Sequence, residues 1–184
     1  MKKYFIISLC CIAMAFSACT KPEDPVNEQF LGNYSGKLVT RSTITFPWND
    51  SESDISDMDL AMNIVAGNEN NTIVANCTAY GQNFVMNGTI DNGTITFAPA
   101  TITAAASEIL NAALLNIIPN LSNIADASVT MTFDYTGTLL HDSLLNKDYL
   151  QLDGKTNGNL TVKIIGVPVT CPITGTSIGR VNRQ

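Results

Sequence analysis

The chain reads as mainly β, a mostly antiparallel sheet of about eight strands with one inserted amphipathic helix. Three observations carry that reading. Apolar residues recur at every second position through most of the chain after residue 57, the period of a strand with one buried face. Asn92-Gly93 separates two such runs, and both residues tolerate the positive φ that a tight hairpin needs. A single alanine-rich segment switches to the three- and four-residue spacing of a helix.

The strands follow in order. Met58, Leu60, Met62 and Ile64 alternate with Asp59, Ala61 and Asn63. Ile73, Ala75, Cys77 and Ala79 share one face opposite Thr72, Asn76 and Thr78, and Phe84, Met86 and Ile90 continue the pattern. Beyond Asn92-Gly93 comes Thr94-Ile95-Thr96-Phe97, and later Val129, Met131, Phe133 and Tyr135 alternate with Thr130, Thr132 and Asp134. Leu160, Val162 and Ile164 lead to Val167, Val169, Cys171 and Ile173. Pro168 and Pro172 take the opposite parity there and lack a donor, which predicts an edge or a bulge for this last strand. The inward set therefore includes Met58, Leu60, Met62, Phe84, Met86, Met131 and Phe133. Its methionines suit either an adaptable apolar pocket or a filled core.

Ala104–Ile118 is the exception. Ile109, Leu110, Ala113, Leu114, Ile117 and Ile118 form a helical stripe, alanine favours the helix, Glu108 suits its first turn and Pro119 stops it. In a closed barrel the place left for such a stripe is the open end. Ile109, Leu110, Leu114, Ile117 and Ile118 are thus expected to form a lid; an open sheet wrapped around the helix is the other arrangement.

Chemistry-bearing patterns are sparse. Asp50, Glu52 and Asp54 alternate like the start of a calcium loop, but Ile55 stands at the glycine position and Ala61 at the twelfth, so Asp50–Asp59 reads as a solvated loop. His141 is the lone histidine, and its neighbours Asp142 and Ser143 are too close in sequence to converge as a triad. Asp142-Ser143-Leu144 resembles a short acceptor for bacterial O-glycosylation. Trp48, the lone tryptophan, is either a hydrophobic plug or an aromatic for ligand stacking. Phosphate loops, nucleophile elbows and metal-ligand spacings are missing, so the expectation is a protein that is not an enzyme and uses no cofactor or metal.

The N-terminus speaks to location. Lys2 and Lys3 precede an apolar run, Tyr4 to Phe16, that is shorter than the ~20 residues a bilayer span needs, and Ser17-Ala18-Cys19 closes it with small residues. Residues 1–18 therefore read as a signal peptide. Phe16-Ser17-Ala18-Cys19 resembles the lipobox of bacterial lipoproteins, which implies cleavage before Cys19 and acylation of its thiol. Acyl chains would make the membrane a standing partner, since two or more hold a protein firmly. Residues 19–29 then form the acylated cysteine and a tether, with Pro22, Pro25 and mixed charge. Lys21, Glu23 and Asp24 resemble the short acidic signal of surface-exposed lipoproteins, so either face of the outer membrane is open.

Loss of Lys2 and Lys3 leaves eight basic residues of the original ten against sixteen acidic ones, a formal charge of −8. No basic cluster is present, which excludes nucleic acid as a partner. Cys10 and Cys11 leave with the signal, so Cys77 and Cys171 are the remaining thiols: either a disulfide, if their strands are neighbours, or two buried hydrophobes.

Residues 30–184 are the folded domain. Its opening, Phe30-Leu31-Gly32-Asn33-Tyr34-Ser35-Gly36-Lys37-Leu38, resembles the first strand of calycins, the lipocalin-like barrels, and in particular the calycin-like lipoproteins of Gram-negative bacteria. Tyr34 stands where lipocalins usually carry Trp. The resemblance implies a barrel closed at one end by a basic residue of the last strand stacked on that aromatic, here Arg180 on Tyr34. It also implies a small apolar ligand inside. A protein-interaction or structural subunit of an envelope complex is the alternative function.

Overall fold

The computed structural model describes residues 28–48, 51–110 and 126–184, with residues 51–54 described by their backbone alone. Cys19 and the tether up to residue 27 lie outside the described residues, as do Leu114, Ile117 and Ile118.

A 3₁₀ turn, Glu28–Phe30, leads into nine strands: β1 Gly32–Thr45, β2 Ser51–Ala66, β3 Thr72–Ala79, β4 Gln82–Asp91, β5 Thr94–Phe97, β6 Ala100–Ala105, β7 Ser128–Asp142, β8 Lys147–Ile164 and β9 Val167–Arg183. They form one antiparallel sheet in the order β5-β4-β3-β2-β1-β9-β8-β7-β6, and a further pairing of β5 with β7 closes eight of them into a ring. The sequence expectation of a mainly β, antiparallel architecture of about eight strands agrees with this at the level of the ring.

Closure needs one irregularity. Thr96 pairs with Thr136 on β7, while Ala100 pairs with Phe133. Three residues, Phe97, Ala98 and Pro99, therefore face two, a bulge with one extra residue. Its effect is visible in the side chains: Ile95 and Phe97 are buried on odd positions, Ala100, Ile102 and Ala104 on even ones. A one-residue slip would otherwise turn the whole inward face out to solvent. Pro99 has no amide to lose there, and Ala98 donates its own to the Asn87 carbonyl at 2.7 Å. β5 and β6 thus lie end to end along one edge of β7.

Tight hairpins join the neighbours. Tyr80-Gly81, Asn92-Gly93 and Ile165-Gly166 all hold two successive residues at positive φ, the twist that two-residue hairpins require. Only Asn92-Gly93 carries the usual signal; Ile165 adopts φ 49° against the preference of a β-branched residue.

Two expectations are corrected and a third is narrowed. The part of the expected Asp50–Asp59 loop that is described, Ser51 to Asp59, is strand: β2 begins at Ser51, which pairs with Thr45 of β1. The predicted helix does not begin at Ala104: Ala104 and Ala105 pair with Val129 and Ser128 as the end of β6, and the helix α1 occupies Ala106–Ile109. Inward alternation of Ile102 and Ala104 outweighs alanine's helical propensity there. The edge expected of β9 is confined to its start: the strand pairs with β8 along its length but with β1 only from Ile173 onward, so among the described residues Val167–Pro172 has a free side. Pro168 and Pro172 lie in its first third, beyond the reach of β1. Counting from the Ile164–Val167 hairpin pair, both fall opposite β8 at positions that make no ladder bond to it, so neither missing amide costs a hydrogen bond.

The core is a single apolar cluster inside the ring. Inward glycines make it fit: a Cβ on Gly154 would overlap the Tyr135 ring and the Asp134 carbonyl oxygen, and one on Gly179 would meet Leu38. Gly154→Ala is therefore expected to destabilise the domain by ~1–3 kcal/mol, the range for overpacking, measured by urea denaturation. Loss of less than a few tenths would show that Tyr135 can move aside.

Candidate functional site: the barrel interior and its closed end

Strand alternation puts two chemically different walls inside the ring. The first is apolar. Met58, Leu60 and Met62 on β2, Met86 on β4, and Met131 and Phe133 on β7 are all buried, and Phe84 on β4 is half-buried against the same cluster. The rings of Phe84, Phe133 and Tyr135 stack in series, with centroids 6.0 and 5.6 Å apart. All seven residues expected on the inward face are brought together here, in packed contact.

The second wall was not singled out from sequence. Thr40 and Ser42 on β1, Ser177 on β9 and Thr156 on β8 are buried polar residues. Ser177 Oγ lies 2.8 Å from Thr40 Oγ1 and 2.9 Å from Thr156 Oγ1, so three hydroxyls satisfy one another. Tyr135 comes up beside them from β7. Its hydroxyl is buried near Ser177 and Thr156 yet makes no hydrogen bond of good geometry among the described residues. Burial pushes its pKa up to about 12, against a smaller downward pull from those two hydroxyls. It is a neutral phenol at the seam between the apolar wall and the hydroxyl group. The signal existed in the sequence, because Thr40 and Ser42 share the parity of Leu38 and Ile44.

One end of the ring is closed by β9, but not by the expected residue. Arg183, not Arg180, lies over the Tyr34 ring, 5.8 Å from its centroid. Register decides this: Tyr34 pairs directly with Arg183, whereas Arg180 pairs with Lys37 and has the opposite parity. Arg183 also donates from Nη2 to the carbonyls of Gln29 and Leu31, and Tyr34 donates its hydroxyl to the Phe30 carbonyl at 2.9 Å. The 3₁₀ turn is thereby drawn across the end, with Phe30 buried beneath it. Arg180 works on the outer face instead, 3.9 Å over the Tyr149 ring and 2.6 Å from Asp142 Oδ2.

The other sequence-derived positions are scattered. His141 bonds Asp148 at 2.8 Å on the β7–β8 hairpin. Trp48 is 38% exposed and stacks on buried Phe46, centroids 4.9 Å apart, so Phe46 is the plug and Trp48 its cover. Ile109 and Leu110 are buried at the opposite end from Arg183; the rest of the expected lid is outside the described residues. Cys77 and Cys171 are free. Their strands are separated by β2 and β1, so the neighbour condition for a disulfide is not met. Burial raises both thiols, Cys77 to about 12. Among the described residues no group of three His, Cys, Asp or Glu side chains converges as a metal site, and no helix is long and apolar enough to cross a membrane.

The sequence matches no protein-family model, and no curated protein matches it at a significant level.

Two outcomes follow from this geometry. Cys77 and Cys171 should both resist thiol reagents while the domain is folded and both react once it is unfolded without reductant; no reaction of either on unfolding would restore the disulfide. The pH dependence follows from Asp142, lowered by its hydrogen bond from Arg180, and Asp148, lowered by its bond with His141. A depressed folded pKa contributes stability above the unfolded value of ~3.9, and that contribution is lost as pH falls through the folded value. Urea midpoints should therefore drop on acidification below about pH 4, more steeply for the wild type than for Asp142→Asn.

Proposed function

We propose that the chain is an outer-membrane-anchored lipoprotein, on the periplasmic or cell-surface face, whose calycin-like barrel binds a small apolar ligand inside and catalyses no reaction. The lipobox-like Phe16-Ser17-Ala18-Cys19 supports the anchor. A ring of eight strands has the girth to hold one small ligand, and a cationic residue over the first-strand aromatic, Arg183 over Tyr34, supports the calycin-like reading.

The observation that carries the ligand is the Tyr135 phenol. Among the described residues the Ser177 and Thr156 hydroxyls lie near it without a hydrogen bond of good geometry, and a ligand with an apolar body and one carbonyl or carboxyl oxygen would supply a better-aligned acceptor. Met62, Met86 and Met131 are flexible enough to change rotamer and make room. A polyene fatty acid, cis-parinaric acid, is expected to gain fluorescence on binding, with weaker binding in Tyr135→Phe and in Met131→Trp, which fills the space. Organic extraction of protein purified from envelopes should release a small apolar molecule.

The second reading, a protein-interaction or structural subunit, draws on the filled interior, where Leu38 and Tyr135 occupy the space left by inward glycines. An unresponsive fluorophore together with a stoichiometric co-purifying envelope protein would decide for it.

A further inference from the structure

The β7–β8 hairpin ends in a loop, Ser143-Leu144-Leu145-Asn146, that presents its apolar side chains to solvent. Leu144 is 94% exposed and Leu145 63%, with Leu140 half-exposed on the same hairpin. Exposed single leucines are ordinary; two on a rigid tip are less so. The rigidity comes from Asp142. Its Oδ1 accepts the backbone amides of Leu144 and Leu145 at 3.0 and 3.1 Å, while Oδ2 is held by Arg180, which itself lies on Tyr149. Asn146, at φ 49°, turns the chain back. Both leucine amides are thus bonded within the protein, which removes much of the penalty of taking a loop out of water into hydrocarbon.

The tip sits at the end where the chain enters the barrel. Arg183 bonds the carbonyls of Gln29 and Leu31 with one nitrogen and Asp148 Oδ2, 3.4 Å away, with another. Asp148 stands one residue beyond Lys147, the first residue of β8, and so ties the base of the hairpin to the start of the domain. Eight residues lie between Cys19 and Glu28, nine Cα steps with a reach of at most ~30 Å when fully extended. Any membrane holding Cys19 is therefore within reach of this end.

We propose that Leu144 and Leu145 insert into the same leaflet that holds the acyl chains of Cys19, giving the barrel a second membrane contact and a fixed orientation. This rests on the lipoprotein reading above. The partner is the apolar part of a bilayer rather than its headgroup charge, because the mature chain carries a formal charge of −8 and the arginines near the tip, Arg180 and Arg183, are engaged by Asp142 and Asp148. The contact is accordingly insensitive to salt.

Trp48 supplies a built-in reference, since it follows β1, a 14-residue strand that runs away from the tethered end. The acylated protein is reconstituted in phosphatidylcholine vesicles with brominated acyl chains, and tryptophan emission is read with and without bromine. In Leu144→Trp carried on Trp48→Phe, emission is expected to shift to the blue and lose intensity with brominated lipid, at low and high salt alike; wild-type Trp48 is expected to be unaffected. Position 144 is almost wholly exposed, so the substitution leaves the core untouched, and circular dichroism checks the fold. Vesicles that float with the protein while the introduced tryptophan emits as in water, unquenched, overturn the insertion and leave the anchor standing. A cross-linked dimer through the tip, or a sugar found on Ser143 by intact mass, overturns it as well. Protein that fails to float with vesicles overturns the anchor itself, and the insertion with it.

Discussion

Closure of β5 onto β7 is the constraint on which the rest of this structure depends. An open antiparallel sheet of this composition would leave two long edges and one apolar face exposed, and both invite association with other chains. The ring removes the problem by making the apolar face an interior. It works only because the bulge at Phe97-Ala98-Pro99 shifts the inward parity by one residue, so that Ile95 and Phe97 on one side and Ala100, Ile102 and Ala104 on the other all point the same way. Without the extra residue, β5 or β6 would present threonine to the core.

From closure follows the segregation of the interior. Long strands β7, β8, β9, β1 and β2 carry most of the ladder, and glycines at Gly154, Gly158, Gly175 and Gly179 thin the β8–β9 wall. Large side chains from elsewhere fill that thinned wall: Tyr135 lies on Gly154 and Leu38 on Gly179. Three of the hydroxyls inside, Thr40, Ser177 and Thr156, are grouped so that each finds a partner. Tyr135, arriving from the apolar wall, reaches this group without joining it. Among the described residues its phenol is a polar feature of the interior that packing alone does not explain.

The two ends of the ring differ in the same physical terms. At the chain-entry end, charge does the closing, because Arg183 can reach the 3₁₀ turn carbonyls, the Tyr34 face and Asp148 at once. A lysine would make one of these contacts at a time. At the opposite end, closing is apolar, with Phe46 under Trp48 and Ile109 and Leu110 buried on and after α1. A barrel with such polarity has two distinct ends, and the exposed leucines belong to the charged one, where the chain enters.

How much of this the sequence held can be seen residue by residue. Period-two alternation by itself determined the mainly β class, the strand segments around Met58–Ile64, Ile73–Ala79, Phe84–Ile90, Thr94–Phe97 and Val129–Tyr135, and the inward face of Met58, Leu60, Met62, Met86, Met131 and Phe133, because a strand's side-chain period is a local property of the backbone. The Asn92-Gly93 hairpin was legible for the same reason. Register was not, since it depends on which strands meet. Only the tertiary structure therefore chose Arg183 over Arg180 for Tyr34, set β2 and β1 between Cys77 and Cys171, and gave Pro168 and Pro172 their unpaired side of β9. It also turned Ala104-Ala105 into strand, where pairing with β7 supplied hydrogen bonds that a helix would have had to make alone. The hydroxyl group and the leucine tip escaped sequence reading because each is defined by neighbours from distant parts of the chain. Local pattern fixes what a residue faces; long-range pairing fixes what it meets.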